Sequence, residues 1–259
     1  MTELLNAILL GIIQGLTEFL PVSSSGHLVL AQTLLPGFDA PPAAFDALLH
    51  GGTMMAVVAY FYRDILEIIS GLTKPSEGGL RLPSLLIAGS VPIGVLGVFY
   101  LDAIESLFTS PKIASVGLLI TAGLLTAALR FGRGNRQLNE MIFKNAILIG
   151  CFQALAIVPG ISRSGATISI ALILGFAGTE AARFSFLLSL PAIAGALILE
   201  AGVLAGAEHL MIYMAGALAA AVSGWVSIAV LMRFLERRRL LPFIVYCLAL
   251  GSLSLAFLV

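Results

Sequence analysis

Charge is what this chain has least of. Only 11% of its 259 residues are Asp, Glu, Lys or Arg, and the formal net charge is zero. A soluble domain carries roughly 25% charged residues, so an ordinary water-facing surface is excluded. No nucleic-acid partner is expected. There are two cysteines, Cys151 and Cys247, both in apolar segments and at no metal or redox spacing. They read as small core or lipid-side residues. A basic amino-terminal stretch and a small-residue cleavage site are both missing, so no removable signal segment is expected.

Apolar residues fill the space that charge leaves. They make up 59% of the chain, and the mean hydropathy is +1.05. Apolar runs near 45–62, 84–101, 113–130, 184–200, 210–232 and 241–258 can each cross the ~30 Å of a bilayer as a helix. The solvent is lipid, and the fold class follows: an all-α polytopic membrane protein.

The chain also repeats itself. NAILLGIIQGL from Asn6 resembles NAILIGCFQAL from Asn145, and at the same spacing Ser23-Ser24-Ser25-Gly26 falls on Ser162-Arg163-Ser164-Gly165. Ala43, Phe45, Leu48 and Leu49 then fall on Ala182, Phe184, Leu187 and Leu188. One register held without a gap implies duplication, with repeats at 1–132 and 140–259. Each repeat opens with a broken apolar segment, about 4–36 and about 142–178. The piece after each break is short, and ten to twelve helical residues cover only about 15–18 Å. A re-entrant hairpin followed by three spans is the economical reading, since irregular backbone at that depth must face protein or a wet cavity.

Charge distribution orients this topology. Arg63, Lys74, Arg81, Arg130, Arg133, Arg136, Lys144, Arg183, Arg233, Arg237, Arg238 and Arg239 then share one side, against Lys112 on the other. Basic residues mark the cytoplasmic face. Both chain ends are therefore expected outside, with the first hairpin entering from outside and the second from within. The halves become inverted-topology repeats whose polar turns meet near the midplane.

Those turns carry the candidate chemistry. Each returning helix begins at its serines with free backbone N–H groups and a positive dipole end, an arrangement suited to anions. Arg163 adds a cation that is costly at membrane depth. It either binds an anion there or pairs with Glu18 and fastens the hairpins. Gln14 and Glu18 are one turn apart, and one carboxylate beside an amide can hold Mg²⁺ only if phosphate oxygens complete the shell. Alternatively Glu18 is a general base. Ser23, Ser24, Ser25 and His27 are all nucleophile candidates, and i,i+3 or i,i+4 spacing allows Ser24 or Ser23 to lie beside the imidazole. Asp46 and His50 form a further i,i+4 pair that either supports the site or pairs internally.

At QGLTEFLPVSSSGHL and PGISRSGAT the chain resembles the bacterial undecaprenyl pyrophosphate phosphatase family, linked to bacitracin resistance, over essentially its whole length. The resemblance implies a catalytic set of Ser24, His27, Glu18 and Arg163, with Ser24 favoured as nucleophile. It implies Gln14 and Glu18 as metal ligands for Mg²⁺ or Ca²⁺, though Gln14 stands where a second carboxylate can occur. The remaining substrate contacts it implies are Gln14, Ser23, Ser25, Gly26, Gly160, Ser162, Ser164, Gly165 and Thr167. The implied reaction converts undecaprenyl diphosphate to the monophosphate at the bacterial cytoplasmic membrane, recycling a lipid carrier for the cell wall. The rival reading is an inverted-repeat transporter or flippase for a phosphate-bearing lipid. A type 2 phosphatidic acid phosphatase is a poor match: no Arg-Pro pair exists, and six residues after Arg163 stands Ser169, not histidine.

Overall fold

The computed structural model describes residues 2–34, 43–73, 79–99, 107, 110–199 and 210–258. Among them the regular structure is helical: α1 (Thr2–Phe19), α2 (Ser24–Leu34), α3 (Ala43–Tyr60), α4 (Tyr62–Thr73), α5 (Arg81–Phe99) and α6 (Pro111–Phe131). A 3-10 turn at Leu138–Glu140 leads into α7 (Phe143–Leu155), α8 (Arg163–Ile173), α9 (Gly178–Leu199), α10 (Leu210–Glu236) and α11 (Leu241–Phe257). Lys74 and the last two residues of the first expected hairpin lie outside the described residues.

Among the described residues four helices are long and apolar enough to cross a membrane: α5, α6, α10, and α9 over Gly178–Ile198. The other two expected spans, α3 and α11, have 18 and 17 residues, at the lower limit for crossing. Large apolar side chains on α1, α5 and α10 face outward. Leu5, Leu9, Ile87, Val91, Leu218 and Val222 are all exposed, as lipid solvent requires and water would penalise. The chain is a polytopic membrane protein.

Both early segments break where the sequence places the break, for local reasons. Proline offers no N–H to the preceding turn, and Pro21 and Pro159 sit in the two interruptions. Ser23 adopts φ 67° and Gly160 φ 88°, left-handed values that end a helix. Gly160 is required twice over, because a Cβ there would run into the Ala114 carbonyl. The following helices restart identically. The Ser23 hydroxyl accepts from Gly26 N at 3.2 Å, and the Ser162 hydroxyl accepts from Gly165 N at 3.0 Å. The two arms before the breaks differ, with 18 residues in α1 and 13 in α7.

Helices related by the sequence repeat pack in matching pairs. α1 lies along α10 as α7 lies along α5, and α3 meets α10 as α9 meets α5. In the first pairing the backbones of Gly11 and Gly216 touch, and in the second those of Gly150 and Gly89. Small residues permit this approach where lipid supplies no hydrophobic force between helices. Between α6 and α11, Ser115 donates to Ser254 at 2.8 Å, two residues separated by the repeat spacing of 139.

Helix α4 is absent from the sequence reading. Its apolar residues follow a helical period interrupted by Arg63, Asp64 and Glu67, so it lacks a continuous run. Tyr62, Leu66, Ile69 and Leu72 remain exposed along it, the pattern of a helix lying in a membrane interface. Asp64 pairs with Arg183 of α9, whose guanidinium also lies 3.6 Å from Glu180. Arg81 donates to Met141 O, Arg136 to Glu140 O, and Arg238 to Asn135. Glu180 accepts from Leu138 N. These basic residues therefore gather around the 134–141 segment at one end of the helices.

Candidate active site

The two breaks bring their polar residues against each other. Gly26 faces the backbone of Gly160, so that a Cβ on it would lie 3.0 Å from the Gly160 Cα. Ser164 Oγ donates across to Leu20 O at 3.3 Å. Thr121 of α6 fixes the second turn from the side. Its hydroxyl donates to Gly160 O and accepts from Ser162 N, both at 2.9 Å.

Glu18, on the last turn of α1, is the centre. It is 8% exposed, and a buried carboxylate needs partners for both oxygens. One oxygen, Oε2, accepts from Ser24 Oγ at 2.6 Å and from Gln14 Nε2 at 3.1 Å. The other pairs with the Arg163 guanidinium. Nucleophile candidate, carboxylate and cation thus form one chain of contacts from three different helices. The pairing expected of a fastener is present, yet it uses a single guanidinium nitrogen. The remaining N–H groups of Arg163 keep their capacity for a second anion.

His50 also reaches this group. Its Nδ1 lies 3.0 Å from Asp46 O and 3.6 Å from the Asp46 carboxylate, so Nδ1 carries the proton. Its Nε2 then faces the Gln14 amide at 3.4 Å and Glu18 at 4.0 Å. The two Gln14 N–H groups are satisfied by Glu18 and His50 together. The i,i+4 spacing of Asp46 and His50 was the available signal: the pair forms, and His50 lies against Gln14 and Glu18.

His27 is placed differently from its expected position beside a serine hydroxyl. Its Nδ1 is 2.7 Å from Ser23 O, and its Nε2 is 2.5 Å from the hydroxyl of Tyr246 on α11. Helical spacing allowed contact with Ser24, but the ring turns toward α11. Ser23 and Ser25 sit 3.2 Å apart, and Ser162 and Ser164 3.1 Å apart. Thr167 is fully buried, with its hydroxyl bonded to Arg163 O and, at 2.6 Å, to Ser185. It supports α8 from within. Thr121, Ser185 and Tyr246 carried no motif in the sequence.

The metal fit is partial. Glu18 offers one carboxylate, Gln14 an amide oxygen and His50 a ring nitrogen, and no group of three or more His, Cys, Asp or Glu that could hold an ion occurs among the described residues. Such a set suits Mg²⁺ or Ca²⁺ only when a ligand brings further oxygens. The cavity beside Glu18 and Arg163, lined also by Ser164, Ser185 and Ser189, measures about 10 Å³.

Chemically, this is a hydroxyl hydrogen-bonded to a buried carboxylate, beside an arginine and two helix starts. It equips the site for attack on a phosphorus centre. Known proteins agree over nearly the full chain. The family model described as bacitracin resistance protein BacA matches residues 7–253. A protein named undecaprenyl-diphosphatase from Syntrophotalea carbinolica is 45% identical, over 97% of this chain and 98% of its own. Proteins of that name from Rubrobacter xylanophilus and Moorella thermoacetica are 44% and 43% identical. The first of these two alignments spans 100% of this chain and 99% of the relative, the second 97% of each. With its two polar turns inside the matched region, the chain belongs to the BacA bacitracin resistance protein family.

Proposed function

We propose that this protein hydrolyses undecaprenyl diphosphate to undecaprenyl phosphate and inorganic phosphate. The names of its full-length relatives support the substrate. The observation that carries the chemistry is the 2.6 Å contact of Ser24 Oγ with Glu18, whose other oxygen holds Arg163. Ser24 gives its proton to Glu18 and attacks the terminal phosphorus. The bridging P–O bond breaks, and undecaprenyl phosphate leaves with that proton, returned by Glu18 to the departing oxygen. Water then attacks the phosphoserine and passes a proton to the freed carboxylate, which hands it to the Ser24 oxygen as the phosphate leaves, restoring the hydroxyl. Arg163 and the N–H groups opening α2 and α8 face the charge on the equatorial oxygens. The polyprenyl tail lies in lipid along the exposed apolar faces.

The test is phosphate release from the C55 diphosphate by purified protein. Absence of release across Mg²⁺, Ca²⁺ and Mn²⁺, with retained lipid binding, would favour the flippase reading.

A divalent cation, Mg²⁺ or Ca²⁺, would be held by Glu18 and Gln14 together with substrate oxygens. It would supply neutralisation of the diphosphate. Chelation is expected to reduce turnover by at least about 100-fold, since hard cations commonly carry much of this stabilisation. Added Mg²⁺ or Ca²⁺ should restore it. Full activity in excess chelator would remove the cation from the mechanism.

The repeats at 1–132 and 140–259 are proposed to be inverted, with the site opening on the outer face of the cytoplasmic membrane. This rests on the basic asymmetry and the matching helix pairs. In a Cys151→Ala background, cysteines at Thr2 and Val259 should both react with an impermeant thiol reagent in intact cells. Labelling at one end only would make one hairpin a full span. In oriented vesicles phosphate should appear on the side away from Arg237–Arg239, and release toward that cluster would reverse the assignment.

A further inference from the structure

We infer that Tyr246 is a positioning residue of the site, acting through His27 to hold the turn that aims Ser24. This rests on the phosphatase reading above. The argument begins with proton counting. His27 Nδ1 faces a backbone carbonyl, Ser23 O, at 2.7 Å, and a carbonyl only accepts. Nδ1 therefore carries the ring proton. In a neutral ring Nε2 is then an acceptor, and the group facing it at 2.5 Å is the Tyr246 hydroxyl, which donates. The two rings are nearly parallel, 6° apart with centroids at 5.6 Å.

Two consequences follow. Neither imidazole nitrogen has a lone pair free for the Ser24 proton, so in this arrangement the base for Ser24 is Glu18 alone. The ring's contact instead falls on the residue immediately before Ser24. Ser23 holds φ 67°, a left-handed conformation unfavourable for a non-glycine residue. It is also the N-cap of α2 through Gly26 N. A bond to its carbonyl fixes the peptide plane joining Ser23 to Ser24, and with it the start of the Ser24 side chain. Helix α11 grips the same turn a second time, because Cys247 Sγ lies 3.5 Å from Pro21 O. Adjacent residues of one distant helix thus hold the turn on both sides of Val22, Cys247 directly at Pro21 O and Tyr246 through His27 at Ser23 O.

The role belongs to the hydroxyl, not to the ring area. Tyr246 is 44% exposed on the lipid side, where phenylalanine would pack equally well. Tyr246→Phe keeps the stack and removes the donor.

The test combines kinetics with the three-histidine spectrum of the chain. In ¹⁵N-histidine-labelled protein His27 should show the Nδ1–H neutral tautomer, and Tyr246→Phe should shift its Nε2 resonance or mix the tautomers. In turnover, Tyr246→Phe should lower kcat about five- to tenfold, the factor one hydrogen bond governs. KM should change less than twofold. His27→Gln should be lower still, and the double variant should equal His27→Gln, because the tyrosine acts only through the ring. An unaltered His27 spectrum in Tyr246→Phe overturns the inference, as does additive loss in the double variant. Wild-type kcat in Tyr246→Phe would do the same. An inactive wild type showing the expected spectral change would instead sink the phosphatase reading and leave the Tyr246–His27–Ser23 contact standing.

Discussion

Ser24→Ala should lower kcat by about 10⁴-fold or more, the scale on which removal of a covalent nucleophile is felt. Its hydroxyl is the one that reaches Glu18, at 2.6 Å, whereas Ser23 and Ser25 bond to each other. Ser23→Ala and Ser25→Ala are therefore expected to lose far less, with Ser23→Ala also losing stability through its cap. Substrate binding by Ser24→Ala should persist, since Arg163 and both helix starts remain. A variant that keeps a tenth of wild-type turnover would transfer the role to a water activated by Glu18. Trapping of labelled phosphate on the wild-type chain, absent from Ser24→Ala, would separate these routes.

Arg163→Lys should be nearly as damaging as Arg163→Ala, each losing about 10³-fold in kcat, within the range an arginine contributes to phosphoryl transfer. The guanidinium spends one nitrogen on Glu18 and can present the rest of its planar fork to two phosphate oxygens. An ammonium is a single point of charge on a flexible stem, so it can satisfy the carboxylate or the substrate, not both in fixed geometry. Most of the turnover surviving in Arg163→Lys would mean that positive charge alone suffices.

What the sequence made legible was whatever is local. Pro21, the serines and the 139-residue register located both breaks, and the polar turns expected to meet do so where Gly26 faces Gly160. The i,i+4 rule placed Gln14 beside Glu18. That Arg163 would reach Glu18 was one of two open readings, and the long-range geometry includes that pair. Contacts between helices distant in sequence were not legible. His27 could face Ser24 by spacing, but the phenol of Tyr246, 219 positions away, turns the ring elsewhere. Thr121 clamps the second turn from α6, where nothing distinguishes it from other small polar residues among apolar ones. Helix α4 escaped notice because an interfacial helix is half polar and gives no long hydrophobic run.

The contact between Glu18 and Arg163 also bears on how a cycle ends. The arginine already has an anion when no substrate is present, so a ligand taking the rest of the fork shares the guanidinium with a tethered carboxylate held at high effective concentration. A diphosphate, with more negative charge and more oxygens, competes with that carboxylate better than a monoester does. Once the terminal phosphate has gone, the lipid left behind is the weaker competitor, and Glu18 holds the greater share of the guanidinium. Undecaprenyl phosphate should accordingly bind weakly, and its affinity, measured directly, should rise when Glu18 is replaced by glutamine. The protein carries its own means of ejecting what it makes.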